Sequence, residues 1–155
     1  MSVERLKNVK RDVNIPTYWR RESMTYNWAD VDVTAAAGDS LVITAPVLNL
    51  YEPSWVQITW NMNTYGLTDS GGWIYGRGYA TRIGGGFPVM SDLGYVKLWD
   101  VTGSYGNWDS VEVTVTEGAV LPAGAYTYSV RFRAYGGTIR IPQYHCHLLI
   151  DVARG

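Results

Sequence analysis

Apolar and polar residues alternate with a period of two through most of the chain after residue 25. The clearest run places Tyr126, Tyr128, Val130, Phe132 and Ala134 on one side and Thr127, Ser129, Arg131, Arg133 and Tyr135 on the other. Successive side chains of a strand point to opposite faces, so this run predicts a half-buried strand. Val111, Val113 and Val115 alternate in the same way with Glu112, Thr114 and Thr116. In the last strand Tyr144, Cys146, Leu148, Ile150 and Val152 share one face, with His145, His147, Leu149 and Asp151 on the other. Further strands are predicted over 26–34, 40–44, 54–63, 73–83, 94–101 and 135–141, with Pro46 and Pro142 interrupting the ladders because proline has no N–H to donate. About eight short strands with Gly- and Pro-rich turns, and no helix beyond a turn or two within 2–11, predict an antiparallel β-sandwich or barrel.

Composition narrows this further. The chain of 155 residues is the length of one domain. Its charged fraction is 17%, against an ordinary value of about 25%. Twelve Tyr and seven Trp stand against two Phe, so most aromatic surface carries a polar tip suited to wet faces and interfaces. A single cysteine, Cys146, excludes an internal disulfide. No stretch approaches the roughly 18 apolar residues of a membrane span, and the N-terminus lacks the apolar core of a signal peptide. Synthesis in a cytoplasm, with no membrane partner, is the expectation.

Charge is unevenly placed. Residues 1–21 hold six basic residues (Arg5, Lys7, Lys10, Arg11, Arg20 and Arg21) against Glu4 and Asp12, while the remainder is acidic. Residues 1–25, which also contain Pro16 and Trp19, break the alternation. They are expected to form a basic attachment arm, with 26–155 as the sandwich domain. Residues 66–86 hold eight glycines, expected at bends and bulges of an aromatic strand.

Candidate chemistry is thin. His145 and His147 share a strand face, but a structural zinc site needs about four ligands and the chain has no other Cys or His on that face, so no metal is expected. Gly76-Arg77-Gly78 lacks the helix and Lys of a phosphate loop. There is no Gly-x-Ser-x-Gly elbow, and Asp30, Asp32, Asp92, Asp100 and Asp109 read as strand exteriors or turns rather than a catalytic pair. No enzyme activity, cofactor or nucleic-acid partner is expected. The aromatic residues carry more weight: Trp73, Tyr75, Trp99, Tyr105 and Trp108 form a candidate contact surface, since such rings stack sugars or pack on protein partners.

The run Ser110–Val115, followed by Leu121-Pro122-Ala123-Gly124-Ala125-Tyr126-Thr127, resembles small jelly-roll virion proteins of tailed bacteriophages, in which such a turn enters a long strand. Gly136-Gly137-Thr138, the closing apolar strand and Ala37-Gly38-Asp39-Ser40-Leu41 extend the similarity over roughly residues 30–155. The resemblance implies an all-β, jelly-roll-type antiparallel sandwich like that of tumour necrosis factor. It also implies a homotrimer that works in the virion as a head decoration or tail component, contacting other capsid or tail proteins. The alternative is a carbohydrate-binding module or receptor-binding tip that recognises host-surface glycans.

Overall fold

The computed structural model describes residues 18–68, 74–84, 94–98 and 108–154. Among them run eleven strands: β1 (Arg20–Tyr26), β2 (Val31–Thr34), β3 (Asp39–Thr44), β4 (Leu48–Leu50), β5 (Ser54–Thr68), β6 (Ile74–Ile83), β7 (Gly94–Leu98), β8 (Trp108–Thr116), β9 (Gly124–Tyr135), β10 (Thr138–Ile141) and β11 (Cys146–Arg154). The helical content of the described residues is one short turn, Ala35–Ala37. The first sheet is built on β5, which is 15 residues long. Along one edge β5 pairs with β11 and then β10, and along the other with β8. β1 closes the far side of β11 and β2 the far side of β10. In the second sheet β3 and β4 pair with β9, β9 with β6, and β6 with β7. Setting aside the short β2, β4 and β10, the orders are β1-β11-β5-β8 and β3-β9-β6-β7, all antiparallel. First strand beside last, and second beside next-to-last, is the double Greek key of a jelly roll. The fold expected from the sequence is therefore the fold observed.

The predicted inward faces are the buried ones, except at Tyr144, which lies before β11 and is 48% exposed because its left-handed φ of 67 breaks the alternation. Val56, Ile58, Trp60 and Met62 of β5 meet Tyr128, Val130, Phe132 and Ala134 of β9, with Leu148 and Ile150 of β11 beside them. Here the glycines of β6 find their use, and it differs from the expected bends and bulges. The β6–β9 register runs unbroken from Tyr75 to Ile83. Gly76 and Gly78 are inward-facing positions of this straight stretch, and the core has no room for a side chain at either. A Cβ at Gly78 would sit 2.6 Å from Trp60 Cη2, and one at Gly76 would sit 2.2 Å from Phe132 Cζ. Gly94 of β7 makes the same allowance, 2.9 Å from Trp60 Cη2.

At one end of the core Arg82 and Glu117, both buried, pair at 2.7 Å, and the Tyr128 hydroxyl donates to the same Glu117 oxygen at 3.1 Å. Burial, and then the Glu117 charge, push the Tyr128 hydroxyl well above the usual phenol range. The Leu121–Tyr126 turn is closed from two sides. Leu121 exchanges backbone hydrogen bonds with Ser54 at 2.8 and 2.9 Å, and the Tyr126 hydroxyl donates back to the Pro122 carbonyl at 2.7 Å.

Two boundaries move. The sheet begins at Arg20 rather than at 26, because β1 pairs with β11 from Arg20↔Val152 to Tyr26↔His147. Arg20 and Arg21, assigned by sequence to the arm, lie in this strand, where they pair with Glu22 at 2.5 Å and Asp151 at 2.6 Å. The strand expected over 26–34 is two strands, because the Asn27 side chain bonds other backbone groups and breaks the run.

Replacing Gly78 by Ala should cost about 1–3 kcal/mol, since the added methyl must displace a fully buried indole. A lower urea midpoint at unchanged slope would report it. Gly118→Ala, with nothing within 4 Å of its Cβ position, is the control. Equal midpoints for the two variants would mean that Trp60 does not set the spacing.

Candidate functional surfaces

The described surface carries two groups of side chains that a folded core does not require. The first lies at one end of the β1-β11-β5-β8 sheet and is built around Asn27. This buried side chain accepts the Cys146 N–H at 2.8 Å and donates to the carbonyls of Pro142 at 2.7 Å and Ala29 at 3.0 Å. The Asn27 backbone carbonyl accepts the Tyr144 N–H at 2.8 Å, and the Asp30 carboxylate accepts the Gln143 N–H at 2.8 Å. The connection from β10 to β11 is thereby fixed, with Tyr144 at φ 67, a left-handed conformation that side-chain-bearing residues seldom adopt.

Held this way, the Tyr144 ring meets Tyr26 edge-on at 5.3 Å and Trp28 at 5.8 Å, while Tyr26 and Trp28 pack at 4.6 Å. His147 lies edge-on to Tyr26 at 6.0 Å. Trp28 is 66% exposed and Tyr144 48%. A groove of about 470 Å³ runs beside this cluster, lined by Met24, Tyr26, Trp28 and Thr44–Pro46.

Across the His145–Cys146–His147 segment stands a second aromatic group. Trp108 packs on Tyr65 at 4.6 Å and on His145 at 5.5 Å. The Asn63 amide nitrogen lies 3.1 Å from His145 Nδ1, and Ser110 donates to the Asn63 oxygen at 2.7 Å. The two imidazoles thus have different neighbours, and among the described residues no three metal-ligating side chains cluster. Between them Cys146 is fully buried, and burial pushes its thiol up to about 12.

The second surface is the outer face of β3-β9-β6-β7. Three guanidiniums, Arg77, Arg131 and Arg133, are interleaved with Tyr75, Tyr79, Tyr95 and Tyr135. Arg77 stands directly opposite Arg133, and Arg131 opposite Tyr79. Tyr75 and Tyr135 stack at 4.8 Å with an interplanar angle of 13°, and Arg133 lies over the Tyr135 ring at 5.3 Å. Arg77 donates to the Tyr95 hydroxyl at 3.5 Å. The Tyr79 hydroxyl is raised above its ordinary value by burial and by its hydrogen bond with Asp39.

Of the residues singled out in the sequence, Arg5, Lys7, Lys10, Arg11, Trp73, Trp99 and Tyr105 lie outside the described residues. Trp19 is half-buried and leads into β1. Tyr75 and Trp108 fall on different sheets, so they do not share one contact surface. Sequence reading missed Trp28 and Tyr144, which only the Asn27 clamp brings together. It also missed the Arg77–Arg131–Arg133 group, whose signal was the polar phase of two alternating strands. Asp30 and Asp32, weighed as acids, flank Arg140 at 3.7 and 2.6 Å. The Arg140 hydrogen bonds hold the Asp32 carboxyl below its usual range.

No family model and no curated protein matches this chain. Among solved structures it is similar to the Eiger TNF of S. frugiperda, with 12% identity over 91% of this chain and 96% of that one and a TM-score of 0.38. It is also similar to TmCBM61 in complex with β-1,4-galactotriose, with 11% identity over 90% of each chain and a TM-score of 0.32. At such scores neither bears on function, and the assignment to the jelly-roll class rests on strand order.

A thiol at about 12 is protonated throughout the neutral range. Cys146 should therefore resist a disulfide reagent at about pH 8 in the native protein and react once denaturant is added. Unfolding releases the thiol toward its ordinary value of 9.0, so the buried neutral form costs stability only as pH rises above that value. Rapid native labelling would show that the strand opens locally.

Proposed function

We propose that this chain is a non-enzymatic assembly protein of a virus particle, the head decoration or tail component that its sequence resemblance implies, and that it self-associates as a homotrimer through the outer face of the first sheet. The observation that carries this reading is the chemistry of that face. Its cross-strand rows from β1 to β5, Tyr26–His147–Asn61 and Met24–Leu149–Thr59, hold no Asp, Glu, Lys or Arg. Met24 is 60% exposed at the edge of the second row, and Trp28 stands just beyond the first. Asp151, beyond the second row, is paired with Arg21, and Glu112 of β8 stands opposite Asn61 where the first row ends. A stretch of sheet with few charges and with protruding Met and Trp is a surface that burial stabilises at about 25 cal/mol per Å². Cyclic symmetry lets identical copies bury it without leaving open ends.

Light scattering should give three times the 17.3 kDa chain mass at micromolar concentration. Leu149→Glu, central in the row, should give the monomer, whereas Arg133→Glu on the opposite sheet should leave the trimer intact. A monomeric native protein would overturn the reading.

Attachment to the particle is assigned to the basic residues Arg5, Lys7, Lys10 and Arg11, which precede β1. Removing residues 1–17 should leave the circular dichroism and the oligomer mass unchanged and abolish re-addition to particles lacking the protein. Full occupancy by the truncated chain would remove the arm from the proposal.

The second reading, a glycan-binding tip, is favoured by the Trp28–Tyr26–Tyr144 cluster beside its groove, because a sugar face packs well on an exposed indole. Calorimetry against host-wall glycans should show heat that Trp28→Ala abolishes if this reading holds, and none if the cluster serves assembly.

A further inference from the structure

We infer that the outer face of the β3-β9-β6-β7 sheet is a binding site for a carboxylated polysaccharide, held by Arg77, Arg131 and Arg133 with the tyrosine hydroxyls between them. The face is opposite to the one assigned to self-association, so the inference stands whether or not the chain is a trimer.

Register brings the three guanidiniums together. Arg77 and Arg133 are direct cross-strand partners, and Arg131 is two residues from Arg133 on the same side of β9. Neighbouring strands lie about 4.8 Å apart and alternate residues about 6.8 Å apart, so the three positions fit within about 10 Å. Like charges directly opposite each other destabilise a sheet. Asp39, opposite Arg133, is the one acidic residue on the described part of the face, and it is hydrogen-bonded to Tyr79. Among the described residues none of the three arginines forms an ion pair with a carboxylate. The other described arginines, Arg20, Arg21, Arg82, Arg140 and Arg154, all do so. The face therefore holds an excess of cationic donors, and the complement is an anion with several acceptors, since a guanidinium binds a carboxylate through two parallel hydrogen bonds.

What the rings offer selects the class of anion. Proteins that hold single-stranded nucleic acid stack bases on open aromatic planes. Here the Tyr75 and Tyr135 planes are used on each other, and Arg133 covers Tyr135. An acidic peptide docks by adding a strand to an edge or by sinking an apolar anchor. β9, which carries Arg131 and Arg133, is paired along both edges, β6 is paired with β7 over Ile74–Gly78, and Leu41 and Ile83, the exposed aliphatic residues, flank the arginines rather than centre them. The remaining surface is an array of N–H and phenol O–H groups, with Tyr95 52% exposed at one margin. Such an array matches a polymer that presents both hydroxyls and carboxylates along its length.

The test is calorimetry on the full chain with four probes: polygalacturonate, neutral dextran, poly-L-glutamate and poly(dT). Polygalacturonate should bind with an affinity that falls as salt rises, because the contact is charge-assisted and exposed. Dextran should release no heat, and the other two polyanions should bind at least roughly tenfold more weakly, since hydroxyl recognition adds to charge. Arg131→Gln with Arg133→Gln should weaken polygalacturonate binding by roughly tenfold or more, with melting temperature unchanged or raised by relief of the like-charge contact. Arg20→Gln should leave binding as it was. Equal affinity for poly(dT) would make the face a nucleic-acid or general polyanion surface, and equal affinity for poly-L-glutamate would make it a protein interface. Either result, absence of binding, or binding that survives the double substitution, overturns the inference. Leu149→Glu separates it from the assembly proposal, because a monomer made in that way should keep the site.

Discussion

The packing of the two sheets is arranged around the largest fully buried side chain, Trp60. Trp60 sits in the middle of β5, fully buried, and its indole reaches across the sandwich to the backbone of β6 and β7. Sheets pack about 10 Å apart when both contribute side chains to the space between them. Where Trp60 lies the opposite sheet contributes none: Gly78 and Gly94 meet the ring with bare backbone, and Gly76 does the same for Phe132. The arrangement has a cost, because among the described buried side-chain atoms Trp60 Nε1 lacks a hydrogen-bond partner, which is worth about 1–3 kcal/mol. A buried Trp contributes a large apolar area, and the glycines let it lie flat against the facing strands. Everything outside follows from this register. With Gly76, Gly78 and Ala80 committed inward, Tyr75, Arg77, Tyr79 and Thr81 have only the outer face to occupy.

The outer faces diverge because alternation constrains only one side of each strand. On the first sheet the outward positions hold Thr59 and Thr114, whose hydroxyls pair at 3.0 Å, with Leu149 and Met24 in the same row. On the second they hold Arg77, Arg131 and Arg133 among Tyr75, Tyr79 and Tyr135 at one end, and Thr81, Ile83, Thr127 and Ser129 at the other. One core thus supports two surfaces of different chemistry, one with few charges between Met24 and Thr59, the other with three arginines and one aspartate. The proposed assembly and the inferred ligand use them separately, so neither needs the other to give way.

The fold was legible wherever one face is wet and the other dry. β8, β9 and β11 alternate so regularly that their inward residues could be named from the sequence, and each of those in β9 is buried. β1 was hidden because it is an edge strand with largely exposed positions, and it includes a register shift between Arg21 and Ser23. Asn27 was hidden for a different reason: its side chain takes three bonds that a ladder would otherwise satisfy, and those partners lie as far away as Cys146. The glycines of β6 misled because a missing side chain reads the same in a bend as in a straight strand facing an indole. The surfaces were the least legible part. Trp28 joins Tyr144, and Arg77 joins Arg133, only through pairings that sequence spacing does not encode.

Three features of this molecule cost stability, and they differ in what compensates them. The orphaned Trp60 Nε1 is offset locally, since removing the indole would leave a large cavity between Gly78 and Gly94. The left-handed Tyr144 is held by the Asn27 carbonyl, yet glycine there would adopt the same φ without strain. What glycine could not supply is the ring on Tyr26 and Trp28, on a surface where no core depends on it. The opposed Arg77 and Arg133 are not offset by any ion pair among the described residues, and a carboxylate at either position would turn repulsion into attraction. Strain inside a core is explained by packing. Strain on a surface, at positions where a single substitution would relieve it, motivates the proposal of a partner for that surface. Both surface costs fall on the groups to which a partner is assigned here, one at the end of the first sheet and one across the second.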